Sequence, residues 1–302
     1  MNDGTPLVSI ICLAYNHEKY IRQCLDGFVM QKTGFRYEII IHDDASKDGT
    51  TAIIREYAKK YPGLFVTIFQ EENQYSKGIP IGKTYMYPLA KGKYIAECEG
   101  DDYWTDPYKL QKQVDFMESH PEYVLCCTDA VQLDDNTGEL VQMTQDVKEE
   151  ITPEYLLEEN RITTLTSLYR TSILKDYLEE FTPGMPRFQL GDYPQWLYFA
   201  SRGKIRKLPF YSAVYRYRTG SVSHSEDLSR TIRFIMSAYD VRAYCNMRLG
   251  FNVKGIRIKE FVSIRKTCKE LYRKRKDSYW PLVLRFWAIL AWEYLFKKDF
   301  IR

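Results

Sequence analysis

Short apolar runs alternate with segments of helical periodicity along the first hundred residues. The runs have the length of buried strands and cover residues 7–13, 37–42, 64–69 and 94–98. Between them, apolar side chains recur three and four positions apart, as on one face of a helix, at Ile21, Cys24, Leu25 and Phe28 and again at Ile53, Ile54 and Tyr57. Strands that alternate with helices predict an α/β fold whose central sheet is mostly parallel and carries helices on both faces.

The pattern is less regular after residue 101. A helix is expected to begin at Pro107, because Pro is favoured in the first turn and apolar positions follow at helical spacing. Residues 129–165 are irregular and acidic. Further strands are expected at residues 124–128, 166–170 and 207–218, and further helices at residues 195–200 and from residue 228 onward.

The strand predicted at residues 94–98 runs directly into three carboxylates, Glu99, Asp101 and Asp102. Carboxylates held this close repel one another unless a cation or the solvent compensates their charge. A divalent cation with oxygen ligands is one such partner, and a solvated acidic turn is the alternative. Because ligands of parallel sheets bind beyond the carboxyl ends of the strands, the polar turns after the first, second and fourth strands should converge on one cleft.

Five segments, in chain order, resemble the motifs of family 2 glycosyltransferases of the GT-A fold. They are residues 8–16 (VSIICLAYN), 42–50 (HDDASKDGT), 99–102 (EGDD), 191–196 (GDYPQW) and 215–224. Ala45 stands where the family's D-D-G-S turn has Gly, and Glu99 stands where its D-x-D-D metal motif begins with Asp. The resemblance covers roughly residues 7–224. It implies a GT-A type, Rossmann-like α/β sandwich with a mostly parallel sheet, followed by a C-terminal helical extension.

The resemblance assigns the donor nucleotide to the first two loops. Leu13, Ala14 and Tyr15 match the loop that lines the base, and Asp44 matches the carboxylate that accepts a hydrogen bond from it, typically from uracil. Asp101 matches a residue that contacts the ribose or the metal. Asp44 has a second interpretation, as a turn residue bonded to its own backbone. A UDP-sugar is therefore the expected donor, with thymidine nucleotides left open.

The resemblance also implies a metal site. Asp102 and Asp101 match the family's metal motif, with Glu99 and His224 as further candidate ligands. A Mn²⁺ or Mg²⁺ ion held there would neutralise the diphosphate leaving group. His224 has a second interpretation as a histidine of a surface loop.

Asp192 matches the family position of the catalytic base, which deprotonates the acceptor hydroxyl for direct displacement with inversion. Asp is also favoured at helix N-caps, and that structural interpretation is compatible with the catalytic one. Among the neighbouring polar residues, Arg216 and Arg218 either pair with phosphate or cover an edge strand. We expect His17 to face solvent and His42 to be buried without a chemical role.

Composition and charge exclude some classes of protein and disfavour others. The 302 residues are 45% hydrophobic and include only 16 Gly and 12 Pro, which excludes a disordered or low-complexity chain. The net charge of +3 conceals an acidic body of net −6 and a basic segment, residues 254–302, of net +9. The acidic body disfavours nucleic acid as a partner. None of the seven cysteines forms a C-x-x-C pair and no signal-peptide pattern opens the sequence, so we expect reduced thiols, no zinc site and a cytoplasmic location.

The C-terminal segment carries a basic run, residues 273–276, before an aromatic and apolar stretch, residues 279–296. Arg285 and Glu293 interrupt that stretch. A basic flank beside such a helix is typical of an element that lies on an anionic bilayer, whereas a helix packed on the body is the alternative. We expect peripheral contact with the inner face of the cytoplasmic membrane, which fits a lipid-linked acceptor.

These patterns predict a catalytic domain over residues 1–224, with a nucleotide-binding half (1–100) and an acceptor-binding half (101–224). A helical, basic extension is expected over residues 225–302. The resemblance implies an inverting, metal-dependent glycosyltransferase. It would move a sugar from a nucleotide-diphosphate sugar to a saccharide or lipid-linked saccharide acceptor in the synthesis of a bacterial cell-surface polysaccharide.

The sequence leaves two alternative functions open. A nucleotidyltransferase would carry a Gly-rich, basic loop after its first strand, where this chain has the sequence LAYNH from Leu13 to His17. A catalytically inactive nucleotide-sugar-binding protein is the other, and the presence of Asp101, Asp102 and Asp192 together argues against it.

Overall fold

The computed structural model describes residues 4–143, 146–218 and 228–256, together with Val262 and Lys266. His224 and the C-terminal segments expected to contact a membrane, residues 273–276 and 279–296, lie outside the described residues.

One sheet of nine strands organises the part of the chain that the structure describes. The strands are β1 (Val8–Ala14), β2 (Tyr37–Asp43), β3 (Phe65–Phe69), β4 (Tyr94–Glu97), β5 (Tyr103–Trp104), β6 (Tyr123–Asp134), β7 (Leu140–Gln142), β8 (Leu168–Arg170) and β9 (Lys204–Tyr217). Their order is β3-β2-β1-β4-β8-β6-β9-β5, and β7 pairs with β6 outside this path.

Most paired residues of the described sheet belong to parallel strand pairs, although four of its eight strand pairs are antiparallel. β1 runs parallel to both of its neighbours, so that Ile10 lies opposite Ile39 of β2 and Ala96 of β4. β2 and β3 are also parallel, as are β6 and β9. The short strand β8 runs antiparallel to both β4 and β6. The predicted α/β fold with a mostly parallel sheet is therefore confirmed.

The described residues also form seven α-helices. They are α1 (Ile21–Val29), α2 (Thr50–Lys60), α3 (Lys109–Ser119), α4 (Pro153–Glu158), α5 (Thr171–Asp176), α6 (Tyr193–Arg202) and α7 (Leu228–Leu249). Short 3₁₀ turns cover Tyr87–Leu89 and Thr164–Thr166, and π-helical turns cover Gly82–Met86 and Tyr177–Phe181. The long helix α7 agrees with the helical pattern expected from residue 228.

The prediction of irregular structure over residues 129–165 was wrong. β6 continues to Asp134, turns back into β7 and is followed by α4. Thr152 caps α4 through its hydroxyl, which accepts a hydrogen bond from the backbone N–H of Tyr155 at 3.3 Å. The second half of β6 escaped the apolar pattern because Asp129, Gln132 and Asp134 interrupt its apolar residues.

The hydrophobic core lies between one face of the sheet and helices α1, α2 and α3. β1 and α1 supply fully buried residues to it, including Ile10, Leu25 and Phe28, at the helical spacing read from the sequence. Each such side chain contributes about 1.5–3 kcal/mol through burial. Six of the seven cysteines are buried free thiols, as predicted, and Cys268 lies outside the described residues.

The chain divides into two compact units, one within Met1–Met185 and Tyr198–Arg218 and the other within Pro186–Leu197 and Thr219–Arg302. In the second unit, Arg242 donates a hydrogen bond from Nε to the hydroxyl of Tyr193 at 3.0 Å. As far as the structure describes the chain, it holds no helix that is both long and apolar enough to cross a membrane.

Candidate active site

The acidic turn, residues 98–102, joins β4 to β5 and is fastened to β1. The backbone N–H of Gly100 donates to the carbonyl of Leu13 at 2.9 Å, and the thiols of Cys24 and Cys98 both donate to the carbonyl of Glu99. A Cβ atom at Gly100 would lie 2.9 Å from Nδ1 of His17, so a larger residue would not fit without movement. The turn therefore has a fixed backbone at the carboxyl ends of β1 and β4.

The two aspartates of the turn differ in exposure. Asp102 is 5% exposed, and its Oδ1 accepts a hydrogen bond from the backbone N–H of Arg216 at 2.7 Å. Burial raises the pKa of Asp102 well above its usual range, and the charges of Asp101 and Glu99 raise it further. The Asp101 side chain is 15% exposed and forms an ion pair with Arg218. Asp101 thus presents its carboxylate more openly than Asp102.

The turn suits a hard divalent cation by its donor atoms, since Asp101, Asp102 and the exposed Glu99 offer only carboxylate oxygens. Within the described residues, no three His, Cys, Asp or Glu side chains are grouped so that the protein alone would hold a metal ion. Mg²⁺ in phosphate-transferring sites is typically bound by one or two carboxylates together with substrate phosphates. The residues present fit that arrangement.

The first two loops are joined directly beside the turn. The backbone N–H of Asn16 donates to the Ser46 hydroxyl at 2.9 Å, and the Asn16 side-chain oxygen accepts from the backbone N–H of Lys47 at 2.8 Å. Ala14 is buried, whereas the ring of Tyr15 is 43% exposed at the end of β1. Leu13 is half-buried, and its carbonyl accepts the hydrogen bond from Gly100 of the turn. Tyr15 therefore offers an open aromatic surface at the position predicted for the base.

Asp44 orders a third loop. Its buried carboxylate accepts hydrogen bonds from the backbone N–H groups of Gln74 at 2.8 Å and Tyr75 at 3.0 Å. These partners lie about thirty residues away, not in the turn of Asp44 itself. Asp43 takes the local turn role instead, since its Oδ1 accepts from the backbone N–H of Ser46 at 3.1 Å. Asp44 thus joins the loop after β3 to the loops after β1 and β2.

Three further side chains, His17, Tyr20 and Arg218, lie at the acidic turn. The prediction that His17 faces solvent was wrong, because its side chain is largely buried with Nε2 3.7 Å from Oδ2 of Asp101. Burial lowers the pKa of His17, although Asp101 opposes this shift. Tyr20 and Arg218 complete the group, with the guanidinium carbon 4.9 Å from the ring centre. The motif gave no signal for His17 and Tyr20, which follow it on the way into α1.

His42 is fully buried, as predicted. Its Nε2 lies 3.1 Å from the side-chain nitrogen of Gln70, and its ring stacks on Tyr85 with 5.4 Å between ring centres. Burial lowers its pKa.

Asp192 belongs to the second unit, whereas the residues of the first three loops and the acidic turn belong to the first. Its carbonyl accepts the backbone N–H of Trp196 at 3.0 Å, which places Asp192 at the N-cap position of α6. Its side chain is half-buried. The structural interpretation as a helix cap is therefore compatible with this geometry, and the catalytic interpretation stays a prediction.

Comparison with known proteins identifies the family of this chain. Residues 9–178 match the family model described as "Glycosyl transferase family 2". The chain belongs to this family.

Two curated relatives illustrate its similarity. An uncharacterized protein of Mycobacterium tuberculosis is 38% identical over 219 residues, which cover 72% of this chain and 61% of the relative. The chain therefore spans less than two thirds of that relative's length. The Escherichia coli glucosyltransferase WfaP, named as a UDP-Glc:alpha-D-GlcNAc-diphosphoundecaprenol beta-1,3-glucosyltransferase, is 29% identical over 72% of this chain and 80% of its own.

Solved structures support the fold. TarS residues 1–349 of S. aureus, in complex with UDP-GlcNAc, align with a TM-score of 0.59 at 18% identity and cover 88% of this chain and 91% of that one. The mannosyltransferase PcManGT of Pyrobaculum calidifontis, in complex with GDP-Man and Mn²⁺, aligns with a TM-score of 0.55 at 14% identity over 97% of this chain and 88% of its own. The expected GT-A type fold is confirmed.

Proposed function

We propose that this chain is a metal-dependent, inverting glycosyltransferase that uses a nucleotide-diphosphate sugar, with UDP as the expected nucleotide. The observation that carries the proposal is the acidic turn with Asp101 and Asp102, fixed at the carboxyl ends of β1 and β4 inside the segment that matches the family. The names of WfaP and of the TarS complex, which both mention UDP-sugars, support the choice of nucleotide. Residues 1–224 form the catalytic domain in this proposal.

Asp101 and Asp102 would hold a Mn²⁺ or Mg²⁺ ion, with Asp101 as the more accessible ligand. Glu99 is exposed beside them, and His224 is kept as a further candidate. The PcManGT complex with Mn²⁺ supports a divalent ion in a protein of this fold. When bound, such an ion neutralises the negative charge that develops on the diphosphate leaving group.

The nucleoside would lie on the loops after β1, β2 and β3. Tyr15 offers its ring to the base, while Leu13 and Ala14 supply backbone at the end of β1. Asp44 positions the loop at Gln74 through two hydrogen bonds, and any bond from its carboxylate to the base uses the remaining lone pairs. This arrangement fixes the donor before the reaction begins.

Asp192 would accept the proton of the acceptor hydroxyl, so that the hydroxyl oxygen attacks the anomeric carbon as the diphosphate leaves. Because a single displacement reverses the configuration at that carbon, the product is inverted.

The acceptor in this proposal is a saccharide or lipid-linked saccharide of a bacterial cell-surface polysaccharide. The name of WfaP, with its undecaprenol-linked substrate, supports this class. A location on the inner face of the cytoplasmic membrane, with residues 273–296 as the contact, would bring the enzyme to such an acceptor. The basic and aromatic character of that segment supports the contact.

The test is a panel of nucleotide sugars, incubated with and without GlcNAc-diphosphoundecaprenol and with Mn²⁺, Mg²⁺ or EDTA. We expect release of a nucleoside diphosphate, dependent on the metal and accelerated by the acceptor. Asp102→Asn is expected to abolish most turnover, because an amide is a poorer ligand for a hard cation, whereas the exposed control Asp115→Asn stays at the wild-type rate.

Other outcomes of this panel contradict the proposal. Pyrophosphate release from a nucleoside triphosphate and a sugar phosphate would identify a nucleotidyltransferase. Nucleotide-sugar binding without any release, across all donors and acceptors, would identify an inactive binding protein.

A further inference from the structure

Two arginines at the end of β9, Arg216 and Arg218, face the acidic turn together. Their guanidinium carbons lie 5.0 and 4.9 Å from the ring centre of Tyr20, so both cations contact one aromatic ring. Arg216 also lies 5.0 Å from the ring centre of Tyr103. Cation–π contacts of this kind hold positive charge beside the turn without neutralising it.

Arg216 is a fixed part of the structure. Its side chain is only 8% exposed, and its guanidinium donates to Asp135 at 3.3 Å and to the side chain of Gln23. Its backbone N–H is occupied by Asp102. The guanidinium of Arg216 therefore already has an anionic partner, Asp135, outside the acidic turn.

Arg218 differs from Arg216 in its exposure and in its ion pair. Its side chain is 27% exposed, and within the described part of the chain its ion pair is with Asp101. Its Nε is buried and has no hydrogen-bond partner among the described residues, and the same holds for Nε of Arg216 and Nδ1 of His17. A buried polar atom without a partner is unfavourable, so this corner of the site has capacity for a further polar ligand.

The ion pair conflicts with metal binding. Arg218 donates to Oδ2 of Asp101, and a cation coordinated by that carboxylate would face the guanidinium at close range. Like charges at such a distance repel, so the two cannot share the carboxylate without an additional anion. The donor diphosphate is the anion that arrives with the metal, and an arginine fork matches phosphate oxygens well.

We propose that Arg218 is an exchangeable counter-ion, which neutralises Asp101 in the donor-free protein and transfers its hydrogen bonds to the donor diphosphate when the metal and the nucleotide bind. This inference rests on the proposed function. Arg218 is then a positioning residue with two successive partners, and the exchange couples metal binding to the presence of the diphosphate. The metal binds weakly alone because it must displace Arg218, and binds well with the nucleotide because Arg218 gains a new anion.

The exchange predicts that Arg218→Gln changes the affinity for Mn²⁺ and the affinity for UDP in opposite directions. Without nucleotide, Mn²⁺ affinity measured by electron paramagnetic resonance should rise roughly 3- to 10-fold, because the competing cation is gone. With Mn²⁺ present, the affinity for UDP measured by calorimetry should fall roughly 10-fold or more, since the diphosphate loses its arginine. The affinity for UMP, which lacks the second phosphate, should fall less.

Two matched variants complete the test. Arg206→Gln removes another arginine of β9, one that pairs with Glu149 and Glu150, and should change neither affinity. Arg218→Lys keeps the charge but loses the planar fork, so Mn²⁺ affinity without nucleotide should stay near wild type while UDP affinity falls, though less than in Arg218→Gln. These two measurements still test the exchange if the Gln variant unfolds.

A merely structural role for Arg218 would lower both affinities together in Arg218→Gln, and that result overturns the inference, as does no change in either. If the wild-type protein binds neither Mn²⁺ nor UDP, the proposed function fails with it. If the wild type binds both but the opposite shifts are absent, the inference alone fails.

Discussion

Ala45 adopts a backbone conformation that favours glycine. It has φ of +64°, and the family turn that it resembles has Gly at this position. A non-glycine residue in the left-handed region costs on the order of 1–2 kcal/mol. The side chain is nevertheless buried, so its methyl group recovers part of that cost through packing.

Ala45→Gly is expected to stabilise the protein by up to about 1 kcal/mol, since relief of backbone strain exceeds the lost methyl burial and the added entropy of the unfolded chain. Urea unfolding followed by circular dichroism would measure it. Ala52→Gly, at an exposed position of α2, is the control with the opposite sign, because glycine weakens a regular helix. A loss of stability in Ala45→Gly would show that packing outweighs the strain.

Asp192→Asn tests the base. The rate of sugar transfer should fall roughly 10²- to 10⁴-fold, the usual range for removal of a general base, with nucleotide affinity nearly unchanged. Initial rates and nucleotide binding would be measured side by side, with the exposed Asp176→Asn as control. A loss confined to nucleotide affinity would assign Asp192 to the donor instead.

At the level of single residues, sequence motifs predicted the positions that follow from neighbouring residues in the chain. They missed the contacts between residues that lie far apart in the sequence. The three carboxylates of the acidic turn follow a strand directly, so a local pattern placed Asp101 and Asp102 correctly at its end. The partners of Asp44 and Asp101, by contrast, lie about 30 and 117 residues away. No local pattern encodes such pairs.

Strand β6 shows the same limit of local sequence patterns at the level of secondary-structure elements. The apolar run predicted a strand over residues 124–128, whereas the structure extends it from Tyr123 to Asp134. Asp129 is buried there because it pairs with Lys207 of β9 at 2.8 Å, across the parallel strands. A buried ion pair carries two charged residues into a sheet interior, so an assignment based on apolar residues ends the strand too early.

Helix α3 begins with an ionisable group that its apolar pattern concealed. Lys109 is fully buried, donates to the side-chain oxygen of Gln113 at 2.7 Å and lies 4.2 Å from the ring centre of Trp104. Burial lowers the pKa of Lys109 from 10.5 to about 8. The helix therefore holds a weakly basic amine inside the core.

This lysine predicts a pH dependence of stability. Between pH 8 and 10.5 the unfolded chain keeps a proton on Lys109 that the folded chain has released, so Lys109 adds a rise of roughly 3 kcal/mol to the free energy of unfolding over the whole window. Buried thiols with raised pKa, such as those of Cys126 and Cys127, contribute a fall above about pH 9, so the effect of Lys109 is the difference between wild type and variant. Lys109→Met should lack this rise.

Urea unfolding from pH 7 to pH 10 would compare the slopes of the wild type, of Lys109→Met and of Lys112→Met. Lys112 is half-exposed one turn away and should keep the wild-type slope. Equal slopes in all three proteins would assign the titration to another group.

For the whole molecule, alternation of strands and helices was enough to predict the fold class and the common edge of the first polar loops. Strand order was not predictable in the same way. β8 separates β4 from β6, although about seventy residues lie between β4 and β8 in the sequence. Residues 186–197 likewise group with residues after 218, which depends on contacts formed between distant segments.

The attachment of the acidic turn to β9 determines when, during synthesis on the ribosome, the turn can meet its partners. Asp102 and the backbone N–H that it accepts are 114 residues apart, and Asp101 and Arg218 are 117 apart. At synthesis rates of about 5–20 residues per second, the ribosome needs roughly 6–23 s to proceed from the turn to its partners. During that interval β1, β2 and β4 are already made and free to pair, but the carboxylates at their ends have no counter-charge from β9. The strands within residues 1–100 are therefore free to pair before the candidate active site is complete.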